Sequence, residues 1–175
     1  MKQFLSATLF ALLLPFAIQA QNKKTLAVGD EIPAFTLTDQ NGKEFKVADH
    51  IGKHALVIYF YPKDESMVCT KEACAFRDSF DDFTRAGAIV IGINGGTVAS
   101  HKHFADKEKL PFVLLSDPQD KVFKQFEVKN SFFMSGRETF VVDLHGKIAF
   151  TYTSMIHGVE HAQQALAIVQ KMKKQ

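Results

Sequence analysis

Two short, nearly continuous apolar runs restrict what this chain can fold into. They are "ALVIYF" (55–60) and "AIVIGI" (88–93), and polar or turn-forming residues follow each of them. Runs of this length and composition are typical of strands that are buried on both faces of a sheet. Between them, apolar residues recur every three or four positions as far as Gly87, which predicts an amphipathic helix. The runs therefore predict a sheet that is covered by helices.

The remaining segments extend this alternation. Residues 33–49 predict a hairpin around Asn41-Gly42, and the segments that flank His145-Gly146 predict a second one. Further helices and strands are predicted at 98–109, 112–116, 121–128 and 159–173. Strands that alternate with helices and end in a hairpin and a helix indicate an α/β fold around a central mixed sheet flanked by helices. This order suits the thioredoxin-like fold with an added N-terminal hairpin.

The first twenty residues predict an export signal rather than part of the fold. Lys2 provides a positive start, residues 4–18 form an apolar run, and Ala20 can precede a cleavage site. The run is shorter than the roughly 20 apolar residues that span a bilayer, so we expect cleavage and a periplasmic location rather than a stable membrane anchor. Residues 21–175 (175 − 20 = 155 residues) are then long enough for a single domain with a substantial core.

The charge balance argues against one class of partner. The chain has 21 Lys and Arg against 19 Asp and Glu. A nearly neutral chain has no electrostatic reason to bind nucleic acid. We expect no cofactor and no bound metal.

Two cysteines, Cys69 and Cys74, stand five residues apart where the first predicted helix begins, and the chain has no others. Five helical steps separate their Cα atoms by roughly 8 to 9 Å, beyond the approximately 7 Å limit for a disulfide. A loop this short also gains little stability from being closed. We therefore interpret the pair as redox-active, able to join only when the first helical turns unwind, rather than as a structural disulfide.

Residues around the cysteines resemble a known family. Pro62, Ser66 and Cys69 form Pro-x3-Ser-x2-Cys, which is similar to the Pro-x3-Thr/Ser-x2-Cys signature of the peroxiredoxins. "YFYPKD", "CTKEAC" and "FRD" resemble the bacterioferritin-comigratory or peroxiredoxin Q branch, in which a second cysteine lies five positions after the first. The resemblance covers the mature chain, including "VGDEIPAFTLTDQNGKEF", "SHKHF", "LPFVLLSD" and "RETFVVDLHGKI".

The resemblance implies a thioredoxin-dependent peroxidase that reduces hydrogen peroxide and organic hydroperoxides by an atypical 2-Cys mechanism. Cys69 would be the peroxidatic nucleophile, and Cys74 would resolve its sulfenic acid to an intrachain disulfide that a thioredoxin-like dithiol reopens. Arg137, in an Arg-x-Thr-Phe context, would donate to the thiolate and to a peroxide oxygen. Ser66 would offer its hydroxyl to the peroxide, and Pro62 would shape the pocket wall. The protein would be a monomer or weak dimer.

Several residues keep a second interpretation. Glu72 is read either as orienting the arginine or as a solvated helical glutamate, and Ser66 can also cap the helix. Ser66-Met67-Val68 replaces the branch's common Thr-Pro-Gly, which leaves the peroxide preference open. Asn94-Gly95-Gly96 stands where relatives often carry a serine and an acidic residue, and the sequence alone gives this change no function.

Two other functions compete with the peroxidase. An exported copper carrier of thioredoxin fold could use the two thiols and a histidine such as His157, because thiolate and imidazole suit copper. However, the cysteines are spaced more widely than the CxxxC of such carriers, and His157 and His161 are predicted to be surface residues. A protein thiol-disulfide oxidoreductase would normally carry CxxC, which this sequence lacks.

Overall fold

In the computed structural model, which describes residues 26–131 and 134–174, seven strands form one sheet. The strands are β1 (Thr36–Asp39), β2 (Glu44–Lys46), β3 (Ala55–Phe60), β4 (Ala88–Asn94), β5 (Val113–Ser116), β6 (Glu138–Val142) and β7 (Ile148–Thr153). The helices are α1 (Met67–Asp78), α2 (Phe80–Arg85), α3 (Val98–Glu108), α4 (Lys121–Gln125) and α5 (Gly158–Lys173), with a 3-10 turn at Val47–Asp49.

The sheet is mixed, as predicted. Its strand order is β2-β1-β5-β4-β3-β6-β7, in which β3 pairs in parallel with β4, β4 pairs in parallel with β5, and the other pairs are antiparallel. All six residues of β3 are buried, which agrees with its unbroken apolar run. The predicted N-terminal hairpin is β1-β2, and Gly42 makes its turn with a φ of 78°. The second predicted hairpin is β6-β7.

Apolar side chains pack on both faces of the sheet. Alternate residues of β3 point to opposite faces. One face, with Tyr59, is covered by α1, α2, α3 and α5, and the other, with Phe60, is covered by α4 and the segments around the first hairpin. Aromatic rings fill both layers: Tyr59 stacks on Phe76 of α1, and Phe60 contacts Phe126 and Phe140. This two-layer core holds β3 rigidly at the centre of the molecule.

Two helices differ from the sequence prediction. The continuous helix that was expected to end at Gly87 is interrupted at Ser79, whose φ and ψ of −103° and 8° are not helical, so that α1 and α2 are separate. Helix α4 ends at Gln125 rather than near residue 128, because Glu127 adopts a left-handed φ of 57°.

The predicted export signal, residues 1–20, lies outside the described residues. Within the part of the chain that the structure describes, no helix is both long enough and apolar enough to cross a membrane.

The connections place one end of β3 beside the start of α1. Tyr61 to Ser66 form the loop between them. The antiparallel neighbour β6 begins at this same end, where Glu138 pairs with Phe60. Arg137, the residue before β6, is therefore brought next to the loop. Ligand sites in α/β sheets commonly lie at the carboxyl ends of the strands, and this is such an end.

Candidate active site

Cys69 is the third residue of α1 and is fully buried. The helix begins at Met67 after Ser66, so the thiol lies in the first turn, as predicted. The backbone N–H groups of a first turn have no partners within the helix, and the helix dipole makes this end positive. Both features place partial positive charge beside the Cys69 sulfur.

Arg137 and Cys69, 68 residues apart in sequence, are in direct contact. The Nη2 group of Arg137 donates to the Cys69 sulfur at 3.0 Å, and the side chain of Arg137 is almost completely buried. Its Nη1 group donates to a carboxylate oxygen of Glu72, while its Nε has no hydrogen-bond partner within the described residues. A planar guanidinium can hold a carboxylate with one nitrogen and face a sulfur with another, which a lysine ammonium cannot do in a fixed geometry. The pairing predicted from sequence is therefore present.

Glu72 orients this arginine. It lies three residues after Cys69 on the same face of α1 and is fully buried, so the alternative of a solvated glutamate is wrong. Burial raises the pKa of Glu72, and the charge and hydrogen bond of Arg137 oppose that rise. The hydrogen bond from Arg137 Nη1 to Glu72 therefore fixes the direction of the guanidinium that reaches Cys69.

Pro62 and Ser66 lie in the loop that leads to Cys69, and both are half-buried. Ser66 occupies the N-cap position of α1, but its hydroxyl makes no capping hydrogen bond. Its backbone carbonyl instead accepts from the N–H of Thr70 at 2.8 Å. The capping function considered for Ser66 is not used here, which leaves its hydroxyl available to a ligand.

Cys74 has an environment of its own. It is half-buried, and its thiol donates to the Oε2 atom of Glu108, at the end of α3, over 3.6 Å. Burial raises the pKa of Cys74; Glu108 acts in the same direction, and Arg77 opposes it. Both cysteines are free and lie on one regular helix, as the sequence predicted. Cys74 is therefore held as a thiol on another side of the helix from Cys69.

His161 is not at the surface, and that prediction is wrong, whereas His157 is exposed. The Nε2 atom of His161 lies 3.0 Å from the carbonyl oxygen of Ser154, and its Nδ1 lies 2.8 Å from the Thr139 hydroxyl. A carbonyl can only accept, so Nε2 carries a proton; in the neutral ring, Nδ1 then accepts from Thr139. Burial lowers the pKa of His161 to about 4, so the ring is neutral near pH 7. It lies behind Glu72, with Nδ1 3.6 Å from Oε1.

The buried His161 is expected to contribute to a loss of stability in acid. Its pKa of about 4 is below the ordinary 6.5, so below pH 6.5 the unfolded chain binds a proton that the folded chain does not. The contribution of His161 to stability is therefore present above pH 6.5 and is lost as pH falls toward 4, by roughly 2 to 3 kcal/mol between about pH 7 and 4.5. The raised pKa of Glu72 acts in the opposite direction, because the folded chain then binds the proton more readily than the unfolded chain does. Urea unfolding of the wild type and of a His161 variant at both pH values measures this contribution.

The control for this measurement is the exposed His157. The variant His161→Gln should lose much less stability than the wild type between the two pH values, and His157→Gln should behave as the wild type does. An unchanged pH dependence in His161→Gln would show that other groups cause the acid sensitivity.

No set of three or more His, Cys, Asp or Glu side chains could hold a metal ion within residues 26–131 and 134–174. The group that contacts the Cys69 sulfur is the Arg137 guanidinium, a hydrogen-bond donor that cannot ligate a metal ion.

Comparisons with known proteins agree with this arrangement. Residues 28–151 match the AhpC/TSA family. The chain is 45% identical over 147 residues to the chloroplastic peroxiredoxin Q of Sedum lineare, which covers 83% of this chain and 78% of that protein. It is 41% identical over 169 residues to the chloroplastic peroxiredoxin Q of Suaeda salsa, covering 95% and 78% of the two proteins.

Solved structures show the same fold. The peroxidoxin BcpB of Mycobacterium tuberculosis has a TM-score of 0.79 at 32% identity, covering 84% of this chain and 98% of that one. A bacterioferritin comigratory protein of Xanthomonas campestris with alkyl peroxide reduction activity has a TM-score of 0.73 at 28% identity, covering 82% and 99%. The predicted thioredoxin-like fold is thereby confirmed. These relatives give no support to a copper carrier or a protein thiol-disulfide oxidoreductase.

Proposed function

The chain belongs to the AhpC/TSA family as a peroxiredoxin, a thiol-dependent peroxidase, and on that premise we propose that it reduces hydrogen peroxide and organic hydroperoxides through Cys69 and Cys74. The observation that carries the proposal is the 3.0 Å contact between Arg137 Nη2 and the Cys69 sulfur in a buried site at a helix N-terminus. A thiol that was only part of the core would need no cation beside it.

In the first step, the Cys69 thiolate attacks the terminal, hydrogen-bearing oxygen of the hydroperoxide. An S–O bond forms, the O–O bond breaks, and Cys69 becomes a sulfenic acid while the departing oxygen takes a proton and leaves as water or an alcohol. Negative charge moves from sulfur to the departing oxygen, and Arg137 is placed to stabilise it throughout. Ser66 can donate its hydroxyl to the peroxide as the charge shifts.

In the second step, the sulfur of Cys74 attacks the sulfur of the Cys69 sulfenic acid. An S–S bond forms and the S–O bond breaks, and the hydroxyl leaves as water with the thiol proton of Cys74. A thioredoxin-like dithiol then reduces the disulfide and is itself oxidised, which returns both cysteines to thiols. The regular α1 helix keeps the two cysteines apart, so this step requires local unwinding.

Substitution of each cysteine tests the function. Cys69→Ser should abolish peroxide consumption, because the nucleophile is missing. Cys74→Ser should consume one equivalent of peroxide per chain and then hold a sulfenic acid that a dimedone probe traps, when no other thiol is present. A wild-type Cys69 that reacts with peroxide no faster than free cysteine would overturn the proposal.

We further propose that residues 1–20 direct export, with cleavage after Ala20, to a periplasmic location, and that residues 21–175 form a monomer or weak dimer. The export proposal is supported by the positive start and the apolar run of that segment. The mass of the mature protein decides whether cleavage occurs there.

A further inference from the structure

The loop before Cys69 contains a buried carboxylate with an unusual number of donors. Asp64 Oδ1 accepts from the Tyr61 hydroxyl at 2.8 Å and from the Asn94 amide at 3.0 Å. Its Oδ2 accepts from the Ser100 hydroxyl at 2.5 Å and from His101 Nδ1 at 2.8 Å. We call these five residues the Asp64 network. All of them except Ser100 are buried, and the peroxidase chemistry proposed above uses none of them.

The donors of the network come from three parts of the fold. Tyr61 is in the loop itself, Asn94 ends β4, and Ser100 and His101 are in the first turns of α3. Burial alone would raise the pKa of Asp64, but the hydrogen bonds from His101 and Ser100 outweigh it and lower the pKa to about 2. The carboxylate is therefore charged at neutral pH and ties the loop to β4 and α3.

The Asp64 network also explains the sequence Asn94-Gly95-Gly96. The Oδ1 atom of Asn94 accepts from the backbone N–H of Gly96 at 2.5 Å, which directs its amide group toward Asp64. A Cβ atom at Gly96 would lie 2.7 Å from Asn94 Oδ1 and 2.9 Å from His101 Cε1, so no larger residue fits without displacing the network. Asn94 and Gly96 therefore both have a structural role in the Asp64 network.

The loop needs such contacts because its backbone is strained. Glu65, between Asp64 and Ser66, has a left-handed φ of 58° although it is not glycine, which costs roughly 1 to 2 kcal/mol. Its side chain pairs with Lys107 of α3 at 2.6 Å, but that pair is exposed and weak. Strained backbone persists only where its surroundings determine it, and the buried anchor here is Asp64.

We propose that Asp64 is a positioning residue of the peroxidase site, which fixes the loop from Pro62 to Ser66 against α3 so that these two residues stay in place when peroxide reacts with Cys69. The inference rests on the proposed function. Asp64 lies midway in sequence between Pro62 and Ser66, and its four hydrogen bonds go to Tyr61, Asn94, Ser100 and His101 rather than to the Cys69 sulfur. The partners of Asp64 in β4 and α3 do not belong to α1. The hydrogen bonds of Asp64 should therefore persist while α1 unwinds.

The test measures the second-order rate of Cys69 oxidation by hydrogen peroxide in a Cys74→Ser background, where no disulfide follows. Asp64→Asn should lower this rate by about tenfold to a hundredfold, since small displacements of positioned groups have effects of this size. Tyr61→Phe removes one donor and keeps the carboxylate, and should lower the rate by about threefold. The matched control is Asp117→Asn, another buried aspartate, which accepts two backbone N–H groups at the start of α4.

A second measurement follows the loop itself. The rate of hydrogen exchange at the amide of Thr70, which is bonded to the Ser66 carbonyl, should rise in Asp64→Asn and stay unchanged in Asp117→Asn, although both variants lose thermal stability.

Equal slowing of the peroxide reaction in the two variants, or no slowing in Asp64→Asn, would show that the Asp64 network is structural only and would overturn the inference. If Asp64→Asn does not fold, Tyr61→Phe and Ser100→Ala decide by the same comparison. A wild-type rate no greater than that of free cysteine overturns the proposed function itself, so the two failures are distinguishable.

Discussion

Replacement of Arg137 by lysine is expected to slow the reaction of Cys69 with peroxide by about a hundredfold to a thousandfold, the range found when one preorganised donor is removed from an active site. Arg137 contacts the Cys69 sulfur and the Glu72 carboxylate at once, through two nitrogens of one planar group. A lysine ammonium has one nitrogen and would be drawn to the carboxylate. The developing charge on the peroxide oxygen would then have no fixed cation.

This loss should appear in the rate of the first oxidation and not in the fold. Stopped-flow measurement on reduced protein gives the rate, and far-UV circular dichroism gives the fold. Glu72→Gln keeps the shape of the Arg137 partner and one acceptor oxygen but weakens its hold on the guanidinium, so its rate should fall between those of Arg137→Lys and the wild type. Arg85→Lys, at an exposed arginine that pairs with Asp82, should leave the rate unchanged. A rate for Arg137→Lys within a factor of about three of the wild type would remove Arg137 from the chemistry.

In the disulfide form, the first two turns of α1, from Met67 through Cys74, are expected to be unwound. The reduced protein holds both cysteines in a regular helix, where their Cα atoms are too far apart to bond. Cys74 must also leave Glu108, 3.6 Å away, before it can reach Cys69.

The far end of α1 is expected to stay folded. Phe76 is completely buried and stacks on Tyr59 with ring centroids 4.6 Å apart, and Arg77 Nη1 donates to the Glu108 carbonyl at 2.7 Å. Exposing a buried phenylalanine costs about 1.5 to 3 kcal/mol, which opposes any further unwinding. The unwound segment should therefore end before Phe76.

Hydrogen exchange of the reduced and disulfide forms measures the extent of this segment. Amides 70–74 should exchange at least about a hundredfold faster in the disulfide form, because their helical hydrogen bonds are broken. Peroxide-treated Cys74→Ser, which cannot form the disulfide, should exchange as the reduced wild type does. Unchanged exchange at 70–74 would show that the disulfide forms without unwinding, and faster exchange throughout α2 would show that the rearrangement is not local.

Much of the fold follows from short-range patterns. The strands β3 and β4 are buried on both faces, so their apolar composition alone predicts them. The turns at Gly42 and Gly146 adopt the positive φ that their sequences suggest. The pairing of Cys69 with Arg137 was predicted from a family motif, because no local pattern connects residues so far apart.

The buried polar residues were harder to predict. A charged side chain becomes buried only when partners from other elements surround it, and those partners are not visible from its neighbours in sequence. Asp64 meets Asn94 and His101 from the next strand and helix, and no motif linked them. For His161 a signal did exist: it precedes Ala165 by four residues and Val169 by eight, which places it on the buried stripe of α5.

The interruption of the helix at Ser79 limits how much of the oxidised enzyme can unfold locally. Helix α2 packs against β4 and α5, and its Phe83 is completely buried, so this helix can remain docked when the segment before it rearranges. If α1 and α2 formed one continuous helix, unwinding of its first turns could displace its C-terminal end from the sheet. We expect proteases to cut the oxidised chain within one short stretch near Cys69. The aromatic side chains on both faces of the sheet should stay buried, so that oxidation does not promote aggregation.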